Sequence, residues 1–118
     1  MQYSDAVLQR YYDTTYVGRL NSDETNVRTG RVATADQGEV VQLQIKLNDD
    51  GVVTQVCFKA HGSCATIAAT VYLCELMDQQ VFAEIAIPTP EAMMNALALP
   101  NVKMHSVLLA LDAMKQLR

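Results

Sequence analysis

Hydrophobic and polar residues alternate most regularly between residues 40 and 47, in VVQLQIKL. Val41, Leu43, Ile45 and Leu47 fall on one face, and Gln42, Gln44 and Lys46 on the other. A period of two is that of a strand with one buried face. The stretch NDDG, 48–51, follows, and its Asp50-Gly51 pair readily supplies the positive φ that a hairpin turn needs. The returning segment VVTQVCFK, 52–59, places Val52, Val56 and Phe58 inward and Gln55, Cys57 and Lys59 on the opposite face. An earlier strand around RTGRVATA, 28–35, would complete a three-stranded antiparallel meander with one buried and one wet face.

After residue 64 the period becomes helical. ATIAATVYLCELMDQQ, 65–80, has no Gly or Pro in its interior, and Ile67, Val71 and Cys74 are spaced for a core face. Near the start, YSDAVLQRYY, 3–12, has Ser4 as N-cap with Val7, Leu8 and Tyr11 at helical spacing. Thr89 can cap a short helix that begins at Pro90. Pro100 ends that region, and KMHSVLLALDAMKQL, 103–117, forms the last helix. A helix, three strands and then helices predict an α+β fold, a three-stranded antiparallel sheet with helices packed on one face.

Composition narrows the class. The 118 residues suit a single domain spanning 1–118, long enough to bury roughly 65% of the unfolded surface. Half the residues are hydrophobic and 19% are charged, which excludes wholesale disorder. Net charge is −4 with no basic stripe, so nucleic-acid binding has no electrostatic support. No apolar run approaches the ~18–20 residues of a membrane span. MQYSDAVLQRYY lacks the charged and apolar regions of a signal peptide. Three cysteines, an odd number, do not suggest a disulfide framework, and a reducing cytoplasm is the expected compartment.

The chemistry concentrates in AHGSCATIAA, 60–69, where Cys64 stands at a helix start just after His61. The helix macrodipole favours a thiolate there, which suits sulfur acceptance or redox reactivity. The plainer alternative is an inert small residue. Cys57 reads as a half-buried strand residue and Cys74 as helix packing.

Together YSDAV, VGRL, GEVVQLQIKLNDDGVV, FKAHGSCATIA and LPNVKMHSVLLALDA resemble the IscU/NifU-N iron–sulfur scaffold family, from about residue 3 to residue 117. The resemblance implies a cytosolic scaffold that receives sulfur from a cysteine desulfurase, assembles a [2Fe–2S] cluster and passes it on with chaperone help. In that family the cluster site uses three cysteines, an Asp and a His. The first cysteine falls at Gln37, with Glu39 in place of the Asp. The second falls at Ser63, with Cys64 one place later. The third falls at Ser106, next to a retained His105. Clusters need thiolates, whereas an amide is neutral and a serine alkoxide is inaccessible at neutral pH. A one-residue shift at a helix start turns a side chain by about 100°. An ordinary [2Fe–2S] cluster is therefore not expected on one chain. Glu39, Cys64 and His105, with His61 or Asp36, remain candidate ligands of a partial site for Zn or Fe. The alternative is that His105 caps or packs, Glu39 is a solvated turn residue and Cys64 is inert.

Two further departures concern partners. Val107 and Leu111, four residues apart on the last helix, replace polar family residues, and Ala69 and Val71 stand where the family often has serines. This suggests either an enlarged core or an apolar contact surface, for a partner or a homodimer. LPNVK, 99–103, resembles the family's chaperone-recognition loop, with Leu99, Pro100, Val102 and Lys103 matching and Asn101 replacing a proline. The expectation is a diverged scaffold homologue working in or beside cluster assembly. The alternative is an interaction or regulatory module that keeps the fold without the metal chemistry. His105-Ser106 with Glu39 is the nearest approach to a base and nucleophile, and no motif supports an enzyme.

Overall fold

The computed structural model describes residues 2–36 and 38–118, so the ligand position at Gln37 lies outside the described residues. Seven regular elements follow in order: α1 (Asp5–Tyr11), β1 (Val27–Ala33), β2 (Val40–Leu47), β3 (Val53–His61), α2 (Cys64–Met77), α3 (Pro90–Leu97) and α4 (Met104–Lys115). The strands form an antiparallel meander in the order β1-β2-β3. Helix α2 packs against β3, and α4 against β1 and β2, which leaves helices on one face of the sheet. The α+β architecture expected from the sequence is the one observed.

The caps explain the helix starts. The backbone N–H of Val7 donates to Ser4 Oγ at 3.2 Å, and that hydroxyl donates to Leu97 O at 2.7 Å, tying α1 to the end of α3. Thr89 Oγ1 accepts from Ala92 N, and Pro90 occupies the first turn, where a missing N–H costs nothing. Ser63 Oγ accepts from Thr66 N and caps α2.

On the helix-bearing face Val41, Leu43 and Ile45 are wholly buried, and Ile45 and Leu43 lie opposite Val56 and Phe58. The alternation breaks near the hairpin. The register shifts between Lys46 and Leu47, so Val53 is the buried residue there and Val52, expected inward, is half exposed. A bulge inserts one residue and reverses the faces beyond it. Gly51 carries the positive φ of the turn, +79°.

The opposite face is drier than alternation predicts. Residues 16–18 run parallel to β3, with Phe58 N donating to Tyr16 O and Gly18 N donating to Phe58 O. The chain then lays the backbone of Leu20 over Gln44. Leu20 N donates to Gln44 Oε1 at 2.8 Å, and Gln44 Nε2 donates to Leu20 O and to Thr29 Oγ1. Gln44 is only 2% exposed, and every polar atom of its amide has a partner, as burial demands. Cys57, its cross-strand neighbour, is buried under the same cover.

Helix α2 is buried on almost every side, because α1, α4 and β3 all pack on it. Val71 and Cys74 are core residues as expected, while Ile67 is only half buried. The close approach of α4 to β1 requires Gly30, since a Cβ there would overlap the carbonyl oxygen of Ala113. Gln116 Oε1 accepts from Arg31 N on the outer edge of β1, which further pins α4 to that strand.

Val107 and Leu111 are 0% and 2% exposed, and Ala69 and Val71 are wholly buried. The apolar surface suggested by these four positions is not a surface. Helix α4 packs on both the sheet and α2, so its i, i+4 pair fills the interior. The exposed apolar residue of α4 is Leu108.

Candidate functional site

Three segments meet at one end of the helix-bearing face: the residues leading into β2, the cap of α2 and the first turn of α4. Glu39 shares the parity of Val41 and Leu43, which directs its side chain to the core side. Its Oε1 accepts from Thr66 Oγ1 at 3.0 Å and from Ser63 N at 3.4 Å. Gly62 makes room for this carboxylate, because a Cβ at that position would come within 2.9 Å of Oε1.

Ser63 links the segments. Its Oγ lies 3.2 Å from Thr66 Oγ1 and 3.4 Å from Ser106 Oγ. Ser106 is fully buried, and its Oγ lies 3.4 Å from His105 Nε2. His105, about half exposed, stands with the same Nε2 3.9 Å from Glu39 Oε2, beyond hydrogen-bond reach. Glu39 Oε2 is buried without a hydrogen-bond partner among the described residues. Ser106 and Glu39 both address one ring nitrogen. A nucleophile–base–carboxylate relay needs the two ring nitrogens to serve different partners, and this arrangement does not provide that.

Of the candidate metal ligands, Glu39 and His105 come together, and Asp36 lines the same cavity. His61 does not join them. It shares the parity of Cys57 and Lys59, and it borders a hollow on the outer face with Arg31, Val40, Gln42 and Lys59. Cys64 is half buried against the hydrophobic core at the first position of α2, while Ser63 takes the cap and faces the site. Among the described residues, no group of three or more His, Cys, Asp or Glu side chains is arranged to hold a metal ion.

Beside Glu39 and His105 a cavity of about 310 Å³ is lined by Thr34, Asp36, Leu108, Leu109 and Asp112 as well. The sequence reading missed Thr66 and Asp112. Thr66 had a signal, since it follows Ser63 at the spacing of a helix cap and its third residue. Asp112 had none, because only the packing of α4 on the sheet brings it beside the β1–β2 connection.

The other two thiols are poor nucleophiles. Burial pushes the Cys57 thiol up, and deeper burial in α2 pushes Cys74 much further up. In the 99–103 segment Leu99 is buried, whereas Pro100 is exposed and Val102 is 68% exposed. Lys103 is half buried, with its Nζ 5.8 Å from the centre of the Tyr3 ring.

Similarity to known proteins extends over nearly the whole chain. The chain is 36% identical over 115 residues to the iron-sulfur cluster assembly scaffold protein IscU of Azotobacter vinelandii, covering 98% of this chain and 90% of the relative. It is 36% identical over 113 residues to the mitochondrial iron sulfur cluster assembly protein 1 of Yarrowia lipolytica, covering 96% of this chain and 62% of that longer protein. The crystal structure of FiSufU from Fervidobacterium islandicum AW-1 has the same fold, with a TM-score of 0.77 at 17% identity over 98% of this chain and 96% of that one. Residues 2–117 match the NifU-like N terminal domain, and the chain belongs to that family.

Proposed function

We propose that this protein works in or beside iron–sulfur cluster assembly as a scaffold homologue that does not itself hold an ordinary [2Fe–2S] cluster. The observation that carries the reading is the pair of hydroxyls, Ser63 Oγ and Ser106 Oγ, 3.4 Å apart between Glu39 and His105. The relatives named as assembly scaffolds support the first half of it. The donor chemistry supports the second. A cluster is held by thiolates, and the groups gathered here are a carboxylate, an imidazole and neutral hydroxyls. Cys64, one step after the cap, is half buried against the core.

Glu39 and His105 offer two donors to a single Zn²⁺ or Fe²⁺, and a tetrahedral ion would need its remaining ligands from water or from a partner. Exposed Pro100 and Val102 keep the 99–103 segment available to a chaperone groove, and a cysteine desulfurase is the other partner that the family resemblance suggests. No helix is long and apolar enough to cross a membrane among the described residues. The role proposed is that of a binding protein rather than an enzyme.

Anaerobic incubation with ferrous iron, sulfide and a thiol reductant tests the cluster half. The expected result is no stable charge-transfer absorption after desalting. Capture of a purified cysteine desulfurase by the immobilised chain tests the other half. A chain that binds neither desulfurase nor chaperone would leave the assembly role without support.

A further inference from the structure

We infer that the cavity beside Glu39 receives an arginine side chain from a partner protein, an inference that rests on the reading above that no cluster fills the site. Three carboxylates, Asp36, Glu39 and Asp112, line this cavity of about 310 Å³. None of them pairs with a lysine or arginine among the described residues. Leu108 and Leu109 supply apolar wall, and His105 forms another side.

Glu39 is the buried one of the three. Its side chain is 9% exposed, one oxygen is held by Thr66 and Ser63, and the other, Oε2, has no hydrogen-bond donor among the described residues, His105 Nε2 standing 3.9 Å away. A buried carboxylate oxygen without a donor is costly, and a ligand that brings N–H groups relieves that cost. A metal ion would take only the Glu39–His105 pair, since among the described residues no three of these groups are spaced to coordinate one, and would leave Asp36 and Asp112 unused. A guanidinium is the fuller match. It is planar, always charged and donates in several directions at once, so it can reach carboxylates that do not converge on a point. Its methylene stem would pack on Leu108, which is 43% exposed.

The test uses the full chain and the tripeptide Ac-Gly-Arg-Gly-NH₂, with the citrulline tripeptide as its neutral isostere. Two-dimensional NMR at low salt follows the amides of Thr34, Glu39 and Leu109 and the His105 ring. The arginine peptide should produce saturable shifts there in the millimolar range, and the citrulline peptide should not. Glu39→Gln should weaken the arginine response by about tenfold, the scale of a charge-assisted hydrogen bond. Should that variant fold poorly, Asp36→Asn with Asp112→Asn, both exposed, should weaken it by about fivefold. Equal responses to the two peptides, no response to arginine, or full binding by the folded variants would overturn the inference. Cluster uptake is read separately by absorbance. A chain that takes no cluster and ignores arginine loses this inference alone, whereas stable cluster uptake removes the reading beneath it.

Discussion

Ser63 Oγ and Ser106 Oγ lie 3.4 Å apart, one capping α2 and the other in the first turn of α4. The pair joins two helices across the end of the sheet, at positions where the family resemblance puts thiolates. Each hydroxyl has a further neighbour, Thr66 for Ser63 and His105 for Ser106. The site is thus a connected polar network that satisfies most of its own hydrogen bonds. Glu39 Oε2 is the exception.

Leu111 and Val107 provide the sharpest check on the packing of α4. Both side chains are buried in the core. Leu111→Ala should cost about 2–5 kcal/mol, the range for truncating a buried leucine. Urea unfolding followed by circular dichroism measures this. An unchanged midpoint would mean that the residue lies on a surface after all.

Thiol accessibility separates the three cysteines. Cys64 is half exposed, while Cys57 and Cys74 are buried with thiols pushed up by desolvation. Alkylation with iodoacetamide at pH 8, read by mass spectrometry, should modify Cys64 first. Cys74 should react only after denaturation. Early modification of Cys74 in the folded chain would contradict its placement in α2.

Tyr16 predicts a pH dependence. Burial, followed by its hydrogen bond to Asp78 at 3.1 Å, pushes its phenol up from 10.0 to about 12. The native state therefore favours the protonated phenol more than the unfolded chain does. That stabilisation is complete below pH 10 and is lost as pH rises from about 10 to 12. Tyr16→Phe should flatten the stability profile in that window. Denaturant midpoints of the two proteins from pH 8 to pH 12 provide the comparison, and parallel falls would show that Tyr16 does not carry the effect.

The elements themselves were legible in the sequence, because period and caps agree. Ser4 and Thr89 stand at helix starts as their spacing predicts, and the parity of Val41 to Ile45 sets the buried face. Period-two reasoning failed where the chain leaves strict pairing. The irregularity near Leu47 exchanges Val52 for Val53, and the loop at Leu20 buries Gln44 on the face expected to be wet. Parity also separates His61 from Glu39, which the family resemblance had grouped as candidate ligands. Val107 and Leu111 illustrate a different gap. Hydrophobic spacing identifies a helix face, but the identity of what covers that face depends on long-range packing.

The central claim is that oxygen donors at the ligand positions leave this chain without cluster chemistry of its own. The most direct measurement is the absorption spectrum after anaerobic reconstitution, taken on the native chain and on a Gln37→Cys/Ser63→Cys/Ser106→Cys variant. The account predicts a featureless visible spectrum for the native chain and stable sulfur-to-iron charge-transfer bands for the variant. Stable bands on the native chain, with iron and sulfide retained in equal amounts through desalting, would contradict it.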